Sequence, residues 1–70
     1  MPYVLVQIVE GRSAEAKKAI AADITASLVE HAGARAEDCY VVFRDVAASD
    51  WLIAGETVAE RRRKRGDAGT

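Results

Sequence analysis

The run Pro2-Tyr3-Val4-Leu5-Val6-Gln7-Ile8-Val9-Glu10-Gly11-Arg12-Ser13 opens the chain behind Met1. Within it Tyr3, Leu5, Gln7 and Val9 alternate with Val4, Val6 and Ile8, and both sets are mainly apolar. An alternating run that is apolar on both sides predicts a strand over 3–9 covered on both faces. Gly11 breaks the pattern, and Ser13 is a residue type that caps a helix. Glu15 in the first turn suits the helix dipole. Ala16 stands where Glu or Gln would complete a capping box, so the cap is a single one. Ala16, Ile20, Ile24 and Leu28 recur every four residues and, with Ser27 and His31, form one stripe. Lys18, Ala22, Thr25 and Val29 lie on the far side. Gly33 is placed to end the helix near Ala32, and nineteen residues then span about 28 Å.

Residues 34–38 make the connection, and Cys39-Tyr40-Val41-Val42-Phe43-Arg44 reads as the second strand. Cys39, Val41 and Phe43 face one way, and Tyr40, Val42 and Arg44 the other. Strand, helix, strand at this spacing is a βαβ unit, which gives a parallel pair. Two strands and one helix are too little for a stable monomer. One helix covers one sheet face, so Tyr3, Leu5 and Val9 are expected against another subunit. Further on, 45–50 reads as a polar loop. Trp51-Leu52-Ile53-Ala54-Gly55-Glu56 reads as a short turn or hairpin that docks on a neighbour. Read from the residues, Trp51 anchors the carboxy-terminal segment in the core.

Composition sets outer bounds. Seventy residues, half of them apolar, make one ordered domain whose small core favours sharing apolar surface between subunits. Cys39 is the only cysteine, so the chain has no internal disulfide and no thiolate cluster for a metal. His31 has no Cys, Asp or Glu at ligand spacing on its stripe; its place near a helix end favours packing or capping. No segment approaches the roughly twenty apolar residues of a membrane span, and no secretory leader is visible. A cytoplasmic location, with no membrane partner, is the expectation. The net charge of −1 is unevenly spread: 61–70 hold Arg61, Arg62, Arg63, Lys64 and Arg65 against Asp67, leaving the first sixty residues acidic. This divides the chain into a domain at 1–60 and a basic, disordered tail at 61–70. No aromatics interleave the basic run, so nucleic acid is not expected as a partner.

Pro2 is the only proline. With Met1 removed it would be a secondary amine fixed at the start of a strand. Chain-terminal amines titrate near pKa 7.7–8.0, and partial burial or a nearby cation lowers that value. A base poised near the working pH is what proton-transfer catalysis uses. The structural alternative is a proline that merely tolerates a strand start.

Pro2, the first strand, Glu10-Gly11-Arg12-Ser13, the helix, the second strand and Trp51 together resemble the 4-oxalocrotonate tautomerase family. The resemblance runs from Pro2 to about Glu56. It implies an α+β fold: a βαβ unit with two parallel strands, one long helix and a short C-terminal hairpin. In that reading dimers form a four-stranded sheet and commonly assemble as hexamers, here a homo-oligomer. It implies a cofactor-independent tautomerase that uses no metal and interconverts enol and keto forms of a small carboxylate, a 2-hydroxy-dienoate or enolpyruvate type. Pro2 would be the general base and acid. Arg12 would hold the carboxylate and draw electron density along the conjugated system. Trp51 would wall the site. Well-studied members carry a second arginine on strand two, and that position here is Tyr40. Tyrosine donates one hydrogen bond and no charge. Arg44 lies on the same strand face roughly 13 Å further along, and Arg35 sits in the connecting loop. One arginine, a tyrosine and a tryptophan suit a monoacid, an enolpyruvate or an aryl ketone better than a dicarboxylate. Two other readings stand beside this one. The chain is either a non-catalytic partner subunit of a hetero-oligomer, or an interaction module whose basic tail binds an acidic partner.

Overall fold

A computed structural model of the chain describes residues 1–66. It divides into two compact units: residues 1–6 with 12–44, and residues 7–11 with the segment from Asp45 onward. The element order is β1 (Tyr3–Val9), α1 (Ala14–Ala32), a 3₁₀ turn at Ala36–Asp38, β2 (Tyr40–Val46), a second 3₁₀ turn at Ala48–Asp50, β3 (Leu52–Ile53), β4 (Glu56–Thr57) and α2 (Val58–Arg65).

The first unit is the βαβ core. β1 pairs with β2 in a two-stranded sheet. The Tyr40 N–H donates to the Pro2 carbonyl at 2.9 Å, start beside start, as a parallel pair requires. α1 begins as its sequence suggests: the Ser13 hydroxyl accepts the Ala16 N–H at 3.0 Å. It ends on Gly33 in the left-handed conformation, with the Ala34 N–H donating to the Leu28 carbonyl at 3.3 Å. Ala16, Ile20, Ile24 and Leu28 are half-buried, as are Val4, Val6, Val41 and Phe43 on the strands. A groove between α1 and β2 is lined by Ala22, Val29, Cys39 and Val41, so the side of α1 expected to face away also borders the sheet. Ser27 and His31 depart from the expected stripe. Both are exposed, and His31 Nε2 sits 3.2 Å from Glu30.

The opposite sheet face stays open. Tyr3 is 63% exposed, Leu5 43%, Tyr40 50% and Val42 39%. Among the described residues Ala48, 7% exposed, is the one apolar side chain that counts as buried. Four large apolar side chains exposed on one sheet face mark an interaction surface.

The second unit starts with the end of the sheet. The Glu10 N–H donates to the Val46 carbonyl at 2.8 Å. That bond extends β2 to Val46, so the strand runs over 40–46 rather than the expected 39–44, and the expected polar loop shrinks to the 3₁₀ turn at 48–50. At the other end Cys39 caps the first 3₁₀ turn, its N–H bonded to the Ala36 carbonyl at 3.1 Å. β3 and β4 form the expected hairpin, with Leu52 opposite Thr57 and Ile53 opposite Glu56. Its two-residue turn holds Ala54 (φ 53°) and Gly55 (φ 81°) in the left-handed region, the geometry that matches strand twist.

The expectation of a disordered tail from residue 61, and of a domain boundary there, is corrected over 61–65. These residues are helical. Thr57 and Glu60 form a complete capping box, and Gly66 closes the helix in the left-handed conformation. Glu56 pairs with Arg61 at 3.2 Å and with Lys64. Positive side chains in the last turn also suit the helix dipole. The remainder of the expected tail, 67–70, lies outside the described residues. Among the described residues no helix is long and apolar enough to cross a membrane.

Candidate active site

Pro2 is half-buried immediately before β1, and its carbonyl is held by the first residue of β2, Tyr40. The sheet therefore brings Pro2 and Tyr40 together through their backbones. Their side chains belong to different alternation sets. Pro2 is in phase with the covered Val4 and Val6, whereas Tyr40 stands on the open face with Tyr3 and Leu5.

Arg12 is exposed and directly precedes the N-cap of α1. Its charge adds to the positive end of a nineteen-residue helix dipole. A cation there is unfavourable for the helix alone and favourable for an incoming carboxylate. Gly11 before it has φ +125°, a conformation that glycine adopts without strain.

Trp51 belongs to the second unit. It is half-buried behind the second 3₁₀ turn, and its carbonyl accepts the Val58 N–H at 2.9 Å. This fixes the indole backbone to the start of α2. With Gln7, Val46, Asp50 and Leu52 it lines an open cavity of about 320 Å³. The larger groove, of about 680 Å³, lies between α1 and β2 and contains none of Pro2, Arg12, Tyr40 or Trp51. The smaller cavity carries more chemical interest, because it presents an indole, an amide and a carboxylate together.

Of the other arginines considered, Arg35 is engaged with Glu37 at 2.7 Å and holds that carboxyl below its usual range. Arg44 is exposed on β2. Two residues in the second unit were not singled out from the sequence. The Glu10 carboxylate accepts the Ala48 N–H at 3.0 Å, and Arg62 Nη2 donates to the Glu10 carbonyl at 3.2 Å. The local signal that could have found the helix carrying Arg62 is the capping box of Thr57 and Glu60, followed by a charge run with no apolar period.

Comparison with known proteins follows the same lines. The family model described as tautomerase enzyme matches residues 2–61. A probable tautomerase of Ralstonia nicotianae is 50% identical over 60 residues, covering 86% of this chain and 92% of that protein. The 2-hydroxymuconate tautomerase of Comamonas testosteroni is 40% identical over 60 residues, covering 86% and 95%. Among solved structures, TomN, a 4-oxalocrotonate tautomerase homologue in the tomaymycin biosynthetic pathway, superposes with a TM-score of 0.83 at 32% identity, covering 89% and 95%. The βαβ core, the C-terminal hairpin and a match across nearly the whole chain place this protein in the tautomerase family, as a 4-oxalocrotonate tautomerase-like isomerase.

Proposed function

We propose that the protein interconverts the enol and keto forms of a small monocarboxylate, with Pro2 as the proton carrier once Met1 is removed. The observation that supports this most is the placement of Pro2: half-buried at the head of β1, its carbonyl tied to Tyr40. A free amine there is fixed in position, which oriented proton transfer needs. The Pro2 nitrogen accepts the enol hydroxyl proton as the carbonyl forms and returns it to carbon, so the amine ends as it began. Such general acid–base transfer contributes typically 10²–10⁴-fold. The Arg12 guanidinium binds the carboxylate as a fork and stabilises charge that develops along the conjugated system. The Tyr40 hydroxyl donates one hydrogen bond to the reacting oxygen. One charged fork and one neutral donor favour a monoacid, such as an aryl enolpyruvate, over a dicarboxylate. These steps call on no cofactor.

The open sheet face bears on assembly. Tyr3, Leu5, Tyr40 and Val42 are the surface a second copy would cover, and a homo-oligomer built on dimers follows. Tyr40 stands on that face, so its hydroxyl would serve a site shared between copies. Tyr40 also favours the second reading, a partner subunit of a hetero-oligomer, because it replaces a guanidinium.

Intact mass joined to activity decides between them. Protein one methionine residue lighter than the gene product should ketonise an aryl enolpyruvate, and protein retaining Met1 should be inactive. Equal activity of the two forms would remove Pro2 as the base. Inactivity of both would favour the partner-subunit reading.

A further inference from the structure

We infer that the cavity beside Trp51 is a binding site for a small primary amine in its ammonium form. Its lining is Gln7, Val46, Asp50, Trp51 and Leu52, all in the second unit, around a volume of about 320 Å³. That volume is at the lower end of small-molecule sites, with room for one aromatic ring and its substituent. No basic side chain lines it, and its one charged group is the Asp50 carboxylate. Among the described residues, the Asp50 carboxylate, the Gln7 amide and the Trp51 indole N–H make no side-chain hydrogen bond or ion pair. A carboxylate repels an anion such as the group that Arg12 is proposed to hold, so the cavity selects the opposite charge. The inference stands apart from the reading of Pro2. An ammonium carries three donors, and the Asp50 carboxylate and the Gln7 amide oxygen are acceptors for them. Tryptophan is the aromatic residue that attracts a cation most strongly. Val46 and Leu52 supply apolar contact for the body of the ligand.

The walls of the cavity are held by backbone bonds within the same unit. The Asp50 N–H donates to the Ala47 carbonyl at 2.8 Å, and the Trp51 carbonyl accepts the Val58 N–H at 2.9 Å. The Val46 carbonyl accepts the Glu10 N–H at 2.8 Å. Between Val46 and Asp50 the chain is pinned at the buried Ala48, whose N–H donates to the Glu10 carboxylate at 3.0 Å. A cavity formed in advance loses little binding free energy to ordering. The counter-charge for Asp50 does not come from Arg61, Arg62 or Lys64 of the same unit. Glu56 engages Arg61 and Lys64, and the Glu10 carbonyl engages Arg62.

Trp51 is the only tryptophan, so indole fluorescence reports on this cavity alone. The test titrates the full-length, assembled protein with benzylamine and, in parallel, with benzyl alcohol, which has nearly the same shape and no charge at neutral pH. Amide NMR shifts of residues 46–52 are followed alongside. Benzylamine should saturate both signals with a Kd of about 1 to 10 mM. Benzyl alcohol should bind at least about fivefold more weakly, having lost both the carboxylate and the indole as charge partners. Asp50→Asn keeps the size of the side chain and removes its charge. It should weaken benzylamine at least about threefold and leave benzyl alcohol within about twofold. Asp23→Asn, exposed on α1, should match the parent. Benzylamine affinity should also fall as salt is raised. The amide of Nα-acetyllysine presents the same ammonium on a peptide, without the ring, and should bind more weakly than benzylamine. Tighter binding of that peptide would put a protein lysine in the cavity and overturn the small-amine assignment. No saturable change up to about 50 mM benzylamine, or equal affinity for the alcohol, would overturn the proposal. So would a folded Asp50→Asn variant that binds benzylamine as the parent does. The comparison of amine with alcohol uses the parent protein alone, so it decides the matter even where Asp50→Asn does not fold.

Discussion

On the proposed reading, Tyr40 is the residue on which substrate choice turns. It begins β2 beside Pro2, half exposed, and presents a hydroxyl without a charge. Tyrosine offers one donor, whereas arginine offers five in a rigid fork. Tyr40→Arg is expected to raise kcat/KM for a dicarboxylate enol about tenfold relative to a monocarboxylate, measured as a ratio on the same preparation. No change in that ratio would mean that Tyr40 does not face the substrate. The site residues were legible only in part from the sequence. Pro2 and Arg12 stood out because each sits at a punctuated position, a lone proline and a Gly-Arg-Ser turn. Glu10 and Arg62 did not, because their partnership spans fifty-two positions of chain and leaves no local trace.

At the scale of elements, α2 offers the clearest tests. Thr57 caps it by accepting the Glu60 N–H at 3.0 Å, while Glu60 accepts the Thr57 N–H at 2.9 Å. Thr57→Ala should lower stability by about 1 kcal/mol, read from the denaturant midpoint at unchanged slope. The Glu60 carboxyl lies below its ordinary value of 4.5, chiefly through the Thr57 N–H and then its hydroxyl; Glu56 is lowered chiefly by Lys64. Both folded values are depressed, so their contribution is complete above the unfolded value and is lost as pH falls through the folded ones. The helix should therefore weaken below pH 4.5. Glu60→Gln should blunt that loss when unfolding midpoints at about pH 6 and about pH 3 are compared. An identical acid response in both proteins would contradict the role of Glu60. The elements read correctly were those with local signals: alternation over β1, Ser13 and Gly33 bounding α1. The end of β2 was misjudged because Asp45 and Val46 are extended by a bond to Glu10, not by their own pattern. α2 was missed because five consecutive basic residues carry no apolar periodicity, and its capping box was the only local mark.

At the scale of the whole molecule, the account depends on the open sheet face being covered by another copy. Leu5→Lys places a charge on that face and leaves Pro2, Arg12 and Trp51 themselves unsubstituted. It should lower the sedimenting mass and make the thermal midpoint strongly concentration-dependent. Assembly and midpoint equal to the parent would mean that this face is not the one shared. The central claim is that Pro2 carries the proton, and kcat/KM of Pro2→Ala against the parent tests it most directly. Both proteins should be shown by mass to lack Met1 and to assemble alike, with an aryl enolpyruvate as substrate. The account predicts a fall of about 10²-fold or more, with the unfolding midpoint unchanged. A variant within about threefold of the parent would contradict it.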